Sequence, residues 1–194
     1  MLNISRINAT NNNYKNNNVS FQSRFFPNEA LKDAIYIAKI NVTYSPSRII
    51  EDGRDFARIL DHLLNDGKDD FIKVTRSKKG STLMINGNRV NFYRQEHLHP
   101  GFVDGQRVIN NIIDYFANKK GIVDTTKLTR NEFKVIKPAV DRLNATVNAD
   151  DVTKNPQILY NLEANMRNIN MALHKHTIRL LNKIEAKIFN KKSR

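Results

Sequence analysis

The histidines are the first side chains to consider for chemistry, because an imidazole can serve as a general base or a metal ligand near neutral pH. His97 and His99 lie two residues apart, and an extended chain would place both imidazoles on one side. A metal site needs further ligands, and the nearest acids, Glu96 and Asp104, do not have the spacing of one. We therefore assign no metal ligand, and a metal-dependent enzyme that uses His97 and His99 is a remote alternative.

Other catalytic patterns are absent from the sequence. It contains no cysteine, which excludes thiolate nucleophiles, thiolate metal ligands and disulfides. The glycines are scattered singly, so no glycine-rich phosphate loop occurs, and no Gly-x-Ser-x-Gly motif marks a serine nucleophile. The acidic pairs Asp69–Asp70 and Asp150–Asp151 lie at predicted loop junctions, where aspartate favours turns. We expect a protein that is not an enzyme, has no catalytic residue and needs no cofactor.

Lysine and arginine form the pattern that indicates binding. Residues 156–194 hold eight of them against two acids, and four recur at every fourth position, which places them in one stripe on a helix. An anionic partner, either a nucleic-acid backbone or an acidic protein, would neutralise this stripe. A predicted β-hairpin tip adds two lysines. The predicted anion-binding residues are Lys175, Arg179, Lys183, Lys187, Lys191, Lys192, Arg194, Lys78 and Lys79.

The formal charge of +13 lies mostly at the two ends of the chain. Residues 1–27 carry three basic residues and no acid, and their asparagine runs show no apolar period, so we expect a disordered Asn-rich tail. No segment approaches the roughly 18 uncharged apolar residues of a transmembrane helix. The first residues also lack the apolar run of a signal peptide. We expect a cytoplasmic protein without a transmembrane segment.

Two amphipathic helices are predicted after the tail. Asn28 can cap the first, which places four apolar residues on one face at helical spacing. Ser45–Pro46 starts the second, and Asn65–Gly67 ends it. The expected buried residues are Leu31, Ala34, Ile35 and Ala38 in the first helix and Ile49, Phe56, Leu60 and Leu63 in the second.

Alternation of apolar and polar residues over 71–94 predicts a small three-stranded antiparallel β-meander. If the first loop has four residues, Val74 lies opposite Leu83 and Ile72 lies opposite Ile85. Apolar side chains of the first two strands then share one face of the sheet.

The second turn of the meander has two possible registers. An Asn86–Gly87 turn is the commoner hairpin signal, but it would pair Ile85 with the polar Asn88. A Gly87–Asn88 turn aligns the apolar residues in two rows, and we predict this register. The pairs would then be Ile85 with Val90 and Leu83 with Phe92.

Three more helices follow the meander. Residues 97–101 are a break, Asp104 caps the next helix, and residues 119–121 end it. Thr129 and Glu132 form a capping box for the second, which Pro138 should kink or split. The expected inward residues of the helix that Asp104 caps are Val108, Ile109, Ile112, Ile113 and Phe116. The expected buried residues of the helix with the capping box are Phe133, Ile136, Val140, Leu143 and Val147.

The last predicted helix begins at Pro156 and continues the heptad pattern of the helix before it. The two should form an antiparallel hairpin. At 1.5 Å per residue the last helix would span ~52 Å, nearly twice its partner, so its second half must pack elsewhere, and we expect it near the helix from 104 to 119. His176 is expected as a buried histidine within the seam. The seam consists of Leu159, Leu162, Met166, Ile169, Leu173, His176, Leu180 and Ile184.

These patterns predict an α+β fold, with the meander at about 71–94 packed with helices and a helical hairpin with a long C-terminal helix at the end. The expected divisions are a tail over 1–27, an α/β core over 28–125 and a hairpin over 126–194 that packs on the core. The leading hypothesis is a non-enzymatic basic binding module that engages an anionic partner through its C-terminal helix. The alternative is a structural or interaction protein that uses the heptad-patterned helix for association with a second copy or another protein.

Overall fold

Five α-helices and one three-stranded antiparallel sheet make up the part of the chain that the computed structural model describes, namely residues 25, 29–44, 47–66, 70–77, 80–90, 100–147 and 156–190. The predicted α+β fold, with its meander and long C-terminal helix, is confirmed. In chain order the elements are α1 (Glu29–Tyr44), α2 (Ser47–Asn65), β1 (Ile72–Ser77), β2 (Gly80–Ile85), β3 (Asn88–Val90), α3 (Pro100–Ile113), a π-helical turn (Asp114–Lys119), α4 (Arg130–Val147) and α5 (Pro156–Phe189).

Helices α1 and α2 pack against each other, and each of them also contacts α3 and α5. All of residues 56–60 are buried, so the buried surface of α2 is wider than the predicted stripe, and Ile49 is only half-buried. Gly53 permits a close approach of α1, because a Cβ at this position would lie 2.8 Å from Val42 Cγ2 and 3.0 Å from the Ala38 carbonyl oxygen. The predicted face of α1, which consists of Leu31, Ala34, Ile35 and Ala38, is fully buried.

The first two strands pair in the predicted register. Val74 lies opposite Leu83, Ile72 lies opposite Ile85, and all four side chains are buried in the core. The pairing continues to the ends of both strands, so the connection is shorter than the predicted four residues. Phe25 is buried as well and forms a parallel bridge to Ile72, which attaches the end of the N-terminal segment to the sheet.

The predicted register of the second turn is wrong. The turn is Asn86–Gly87, with φ values of 53° and 80°, and both residues therefore adopt the left-handed conformation that a type I′ hairpin requires. Ile85 pairs with Asn88, while Leu83 pairs with Val90 rather than Phe92. Asn88 is exposed at the end of the sheet, so its pairing with Ile85 buries no polar group. The local turn geometry outweighs the alignment of apolar residues.

Helix α3 begins at Pro100, four residues before the predicted cap at Asp104. Proline fits the first position of a helix, where its missing N–H has no helical acceptor. The helix ends in the π-helical turn and Gly121, whose φ of 59° suits a residue without a side chain. Four of the predicted inward residues, Val108, Ile109, Ile112 and Phe116, are buried, and Ile113 is partly buried against the core.

Helices α4 and α5 pack against each other as the predicted hairpin. The capping box of α4 is confirmed: the Thr129 N–H donates to Glu132 Oε2 at 2.8 Å, and the Glu132 N–H donates to Thr129 Oγ1 at 3.2 Å. Pro138 does not split α4. Phe133 is exposed rather than part of the seam, whereas Ile136 is buried and Val140 and Leu143 are half-buried.

Helix α5 has two halves with different surroundings. Its first half packs mainly on α4, and its second half packs on α1 and α2 rather than on the expected helix after residue 104. In the first half the seam residues Leu159 and Met166 are exposed, contrary to the prediction. In the second half the buried residues are Leu173, Thr177, Leu181, Ile184 and Ile188.

None of the described helices combines the length and the apolar composition that crossing a membrane requires.

Candidate anion-binding surface

The basic stripe of α5 faces solvent along the second half of the helix. Lys175, Arg179, Lys183 and Lys187 are all exposed. Lys175 and Arg179 point away from the residues that pack on α1 and α2, because positions two apart in a helix differ by about 200°. A four-residue spacing advances by about 40° per step, so Lys183 and Lys187 lie progressively closer to α2. Burial of the apolar side thus fixes the orientation of the basic side.

Most of the charge in this stripe is not neutralised by neighbouring acids. Among the residues that the structure describes, Lys175, Arg179 and Lys183 form no ion pair, and Lys187 Nζ only donates a long hydrogen bond of 3.5 Å to Asn65 Oδ1. The acid nearest in sequence, Glu185, is paired with Lys39 of α1 instead. An anion approaching the stripe would therefore not have to displace a carboxylate.

A groove of roughly 620 Å³ runs beside the stripe, between the C-terminal end of α2, the segment before α4, and α5. We call it the α2–α5 groove. Its α5 side is formed by His176, Arg179, Leu180, Lys183 and Lys187, and its α2 side by Arg58, Asp61, His62, Asn65 and Asp66.

The α2 side of this groove is acidic, in contrast to its α5 side. His62 Nε2 lies 2.7 Å from Asp66 Oδ2, and Asn65 Nδ2 donates to Asp61 Oδ1 at 3.0 Å. The two carboxylates would repel an anion that entered the groove deeply. A polyanion is therefore better accommodated along the outer edge of α5 than on the floor of the groove.

Arg58 and Glu132 form a buried ion pair at the base of the groove, and each side chain is only 3% exposed. Arg58 Nε donates to Glu132 Oε1 at 2.7 Å, and its Nη2 donates to Glu132 Oε2, which is the strong bidentate arrangement. The same guanidinium donates to the carbonyls of Thr125 and Lys127 and, at 2.9 Å, to Asp55 Oδ1. One side chain of α2 therefore fixes both the connecting segment and the start of α4.

The pKa values at this ion pair follow from opposing effects of burial and hydrogen bonding. Burial alone would favour neutral Glu132, but the hydrogen bonds from Arg58 and from the Thr129 N–H hold the pKa of Glu132 below its ordinary value. Burial likewise opposes the charge on Arg58, and the bonds to Glu132 and Asp55 raise the pKa of the guanidinium. Both groups are charged in the folded state.

Asp55 differs from Glu132, although it also accepts a hydrogen bond from Arg58. Burial raises the pKa of Asp55 to about 6 and outweighs the attraction of Arg58 and Arg54. Across the interface with α5, burial and then the charge of Arg54 lower the pKa of His174. The α2–α5 interface thus contains one carboxyl that resists ionisation and one imidazole that resists protonation.

Several predicted site residues lie outside the described part of the chain. They are Lys78, Lys79, Lys191, Lys192 and Arg194 of the anion-binding set, and the candidate metal ligands His97 and His99. Within the described ranges, no group of three or more His, Asp or Glu side chains is placed to hold a metal ion. His176, expected in the core, is half-buried on the α5 side of the groove.

The contribution of α2 to this surface was not predicted from the sequence. Arg58 was the available signal, because it interrupts the apolar run from Phe56 to Leu60, and an arginine in such a position needs buried partners. His62 and Asp66 carried no comparable signal. Only the tertiary packing of α2 against α5 places these two residues in the same groove as the α5 residues.

Comparison with known proteins adds no relative: no protein-family model matches the sequence, and no curated protein or solved structure matches it either.

Proposed function

We propose that this protein is a non-enzymatic binding module whose basic stripe on α5 engages the phosphate backbone of a nucleic acid. The observation that supports this function best is the row of four exposed basic side chains, none of which forms an ion pair among the described residues. Phosphate contacts position a protein without reading the sequence of bases. We therefore expect binding that depends little on base sequence.

The number and spacing of the basic residues in the stripe determine how strongly nucleic-acid binding should depend on salt concentration. Residues four apart in a helix are separated by about 6 Å along the axis, so the interval from Lys175 to Lys187 spans about 18 Å. If each of the four side chains neutralises one phosphate of a duplex, the logarithm of the binding constant should fall with the logarithm of salt concentration at a slope of about −3.6. Contacts from Lys191, Lys192 or Arg194 would each steepen this slope by about 0.9.

Fluorescence anisotropy with a labelled duplex and a labelled single strand tests the proposal. Between about 50 and 200 mM salt, duplex affinity should fall roughly 100-fold. The double variant Arg179→Glu/Lys183→Glu should abolish most of the binding at low salt. The matched control is Arg130→Glu/Lys134→Glu, which makes the same change in net charge at exposed positions of α4. Absence of binding at low salt, or equal losses in both double variants, would refute the proposal.

A second candidate function is association through the first half of α5. Leu159 and Met166, one heptad apart, are 53% and 52% exposed, whereas the next heptad position, Leu173, is buried. Helix α4 thus covers only part of the apolar side of α5, as expected of a helix that pairs with a second copy or another protein.

Light scattering over a range of concentrations tests this second function. A dimer should form and should be lost in Leu159→Ser/Met166→Ser. The control variant Tyr44→Ser removes an exposed aromatic residue from α1 and should leave the dimer intact. A chain that remains monomeric at every concentration excludes self-association through this seam.

A further inference from the structure

A second groove lies between α4 and α5, on the hairpin itself, with a volume of roughly 320 Å³. We call it the α4–α5 groove. Ala139 and Ala172 form its floor, and these small side chains leave a depression where the two helices meet. Val135 and Met171 stand on either side of the floor, and Arg142 and Lys175 lie at its rim.

The apolar side chains of this groove are open to solvent. Val135 is 39% exposed and Met171 is 44% exposed. Tyr160, which is also exposed, precedes Met171 by 11 residues, or about three turns, so both side chains point in nearly the same direction about 16 Å apart. Arg167 and Asn168 are exposed between them, so this face is apolar at its two ends and polar in between, over the length of a short docked helix. Methionine suits such a surface because its flexible side chain adapts to the partner.

The charge around the groove has a single sign. Arg142 and Lys175 are the charged residues that line it, and no carboxylate does so. Neither cation forms an ion pair within the described residues, since the adjacent Asp141 is paired with Lys137 at 2.9 Å. The groove therefore combines an apolar floor with two cations whose charge remains available to a ligand.

We propose that the α4–α5 groove docks an acidic amphipathic helix of a partner protein, about three turns long. The partner's apolar residues would cover Val135 and Met171, and its Asp or Glu side chains would pair with Arg142 and Lys175. A nucleic acid fits less well, because it would cover the apolar floor with sugar and phosphate and would meet just two cations. This surface shares Lys175 with the basic stripe but is separate from Arg179, Lys183 and Lys187, so docking of the helix does not require nucleic-acid binding.

Selection of peptides on the full chain tests this docking site. A library of random 16-residue peptides is displayed and selected against the folded protein. The enriched sequences should contain apolar residues at helical spacing and an excess of Asp and Glu. As labelled synthetic peptides they should bind at least tenfold more weakly to Met171→Asp and to Arg142→Glu. Replacing the acids of a selected peptide by lysine should restore its binding to Arg142→Glu, which a variant that is merely misfolded could not do.

Two controls separate this proposal from the others. Lys183→Glu, on the stripe but outside this groove, should leave peptide affinity unchanged. Thermal unfolding followed by circular dichroism should show that the groove variants are folded.

Three outcomes would overturn the proposal. The first is enrichment of peptides without acids, or undiminished binding to Met171→Asp. The second is a dimer by light scattering that Met171→Asp dissociates, because the groove would then hold a second copy. The third is an Arg142→Glu variant that loses affinity for oligonucleotide but not for peptide, since the groove would then be part of the nucleic-acid surface.

Discussion

At the scale of single residues, the buried ion pair of Arg58 and Glu132 shows how hydrogen bonds compensate two buried charges in this fold. Each group has lost its contact with water, and each is compensated by the other and by backbone partners: the Thr125 and Lys127 carbonyls for the arginine, and the Thr129 N–H for the glutamate. The cost of leaving one member without the other is therefore much larger than the net contribution of the pair.

We predict that Arg58→Met lowers the free energy of unfolding by about 3–5 kcal/mol, because Glu132 would remain buried without its partner. The double variant Arg58→Met/Glu132→Met should recover part of this loss, since no unpaired charge remains, but not all of it, since the cap of α4 is also lost. Urea unfolding followed by circular dichroism measures both. A double variant less stable than Arg58→Met would contradict this account.

Asp55 should make stability depend on pH. Its folded-state pKa of about 6 lies above the ordinary 3.8, so the folded state binds the proton more tightly than the unfolded state. The stabilisation that protonated Asp55 provides is complete below about pH 4 and is lost as the pH rises through 6. Asp55→Asn cannot ionise, yet its Oδ1 can still accept from Arg58.

The expected result is a difference in unfolding free energy, Asp55→Asn minus wild type, that rises by up to about 3 kcal/mol between pH 4 and pH 7. Glu132 is present in both proteins, so its opposite pH dependence largely cancels. Urea unfolding at unit pH intervals measures the difference. A difference that is constant over this range would show that Asp55 ionises normally in the folded protein.

At the scale of elements, the two halves of α5 should respond differently to the same kind of substitution. Leu181 is fully buried against the core, and Met166 is 52% exposed. We predict that Leu181→Ala lowers the free energy of unfolding by about 2–5 kcal/mol through the cavity it leaves, whereas Met166→Ala changes it by less than about 1 kcal/mol. Chemical denaturation of both variants provides the comparison. Equal losses would mean that the first half of α5 is also covered in solution.

Local sequence patterns predicted which helices and strands form better than they predicted the buried faces and the end residues of these elements. Alternation was sufficient for the register of β1 with β2, since both strands bury the same face. It was insufficient at Asn86–Gly87, where turn geometry decides the pairing. Residues 97–101 were predicted as a break before a helix capped by Asp104. The helix begins at Pro100 instead, because proline is compatible with the first position of a helix. Phe133 and Met166 were placed in the seam by the heptad pattern, but the faces along which α4 and α5 pack include only part of that pattern. Leu162 and Ile169 are half-buried between the two helices, whereas Met166 is exposed beside them.

At the scale of the whole molecule, the exposure of the α5 stripe was predictable and the grooves beside it were not. A four-residue repeat of basic residues over an apolar seam leaves few arrangements other than an exposed stripe. By contrast, His62 and Arg179 line one groove in the fold, and the sequence contains no signal that α5 packs on α1 and α2 rather than on α3. Such contacts depend on how helices pack in three dimensions, which the periodicity of a single helix does not specify.

The hydrogen bonds of Asn86 in the second hairpin turn should affect how fast this asparagine deamidates. Deamidation of asparagine begins when the backbone nitrogen of the next residue attacks the side-chain carbonyl carbon, and a following glycine makes this fastest because it has no side chain to hinder the attack. In the fold, Asn86 Oδ1 accepts from the Phe71 N–H at 2.7 Å, and its Nδ2 donates to Asp70 Oδ1 at 2.6 Å. These two hydrogen bonds restrain the carboxamide, so folding should slow the reaction. Hydrolysis of the carboxamide would place a new carboxylate at residue 86 opposite the carboxylate of Asp70. The repulsion between the two would disturb the ion pair of Asp70 with Lys120, whose Nζ lies 2.6 Å from Asp70 Oδ1. Deamidation of this single asparagine would then mark molecules that have spent time unfolded.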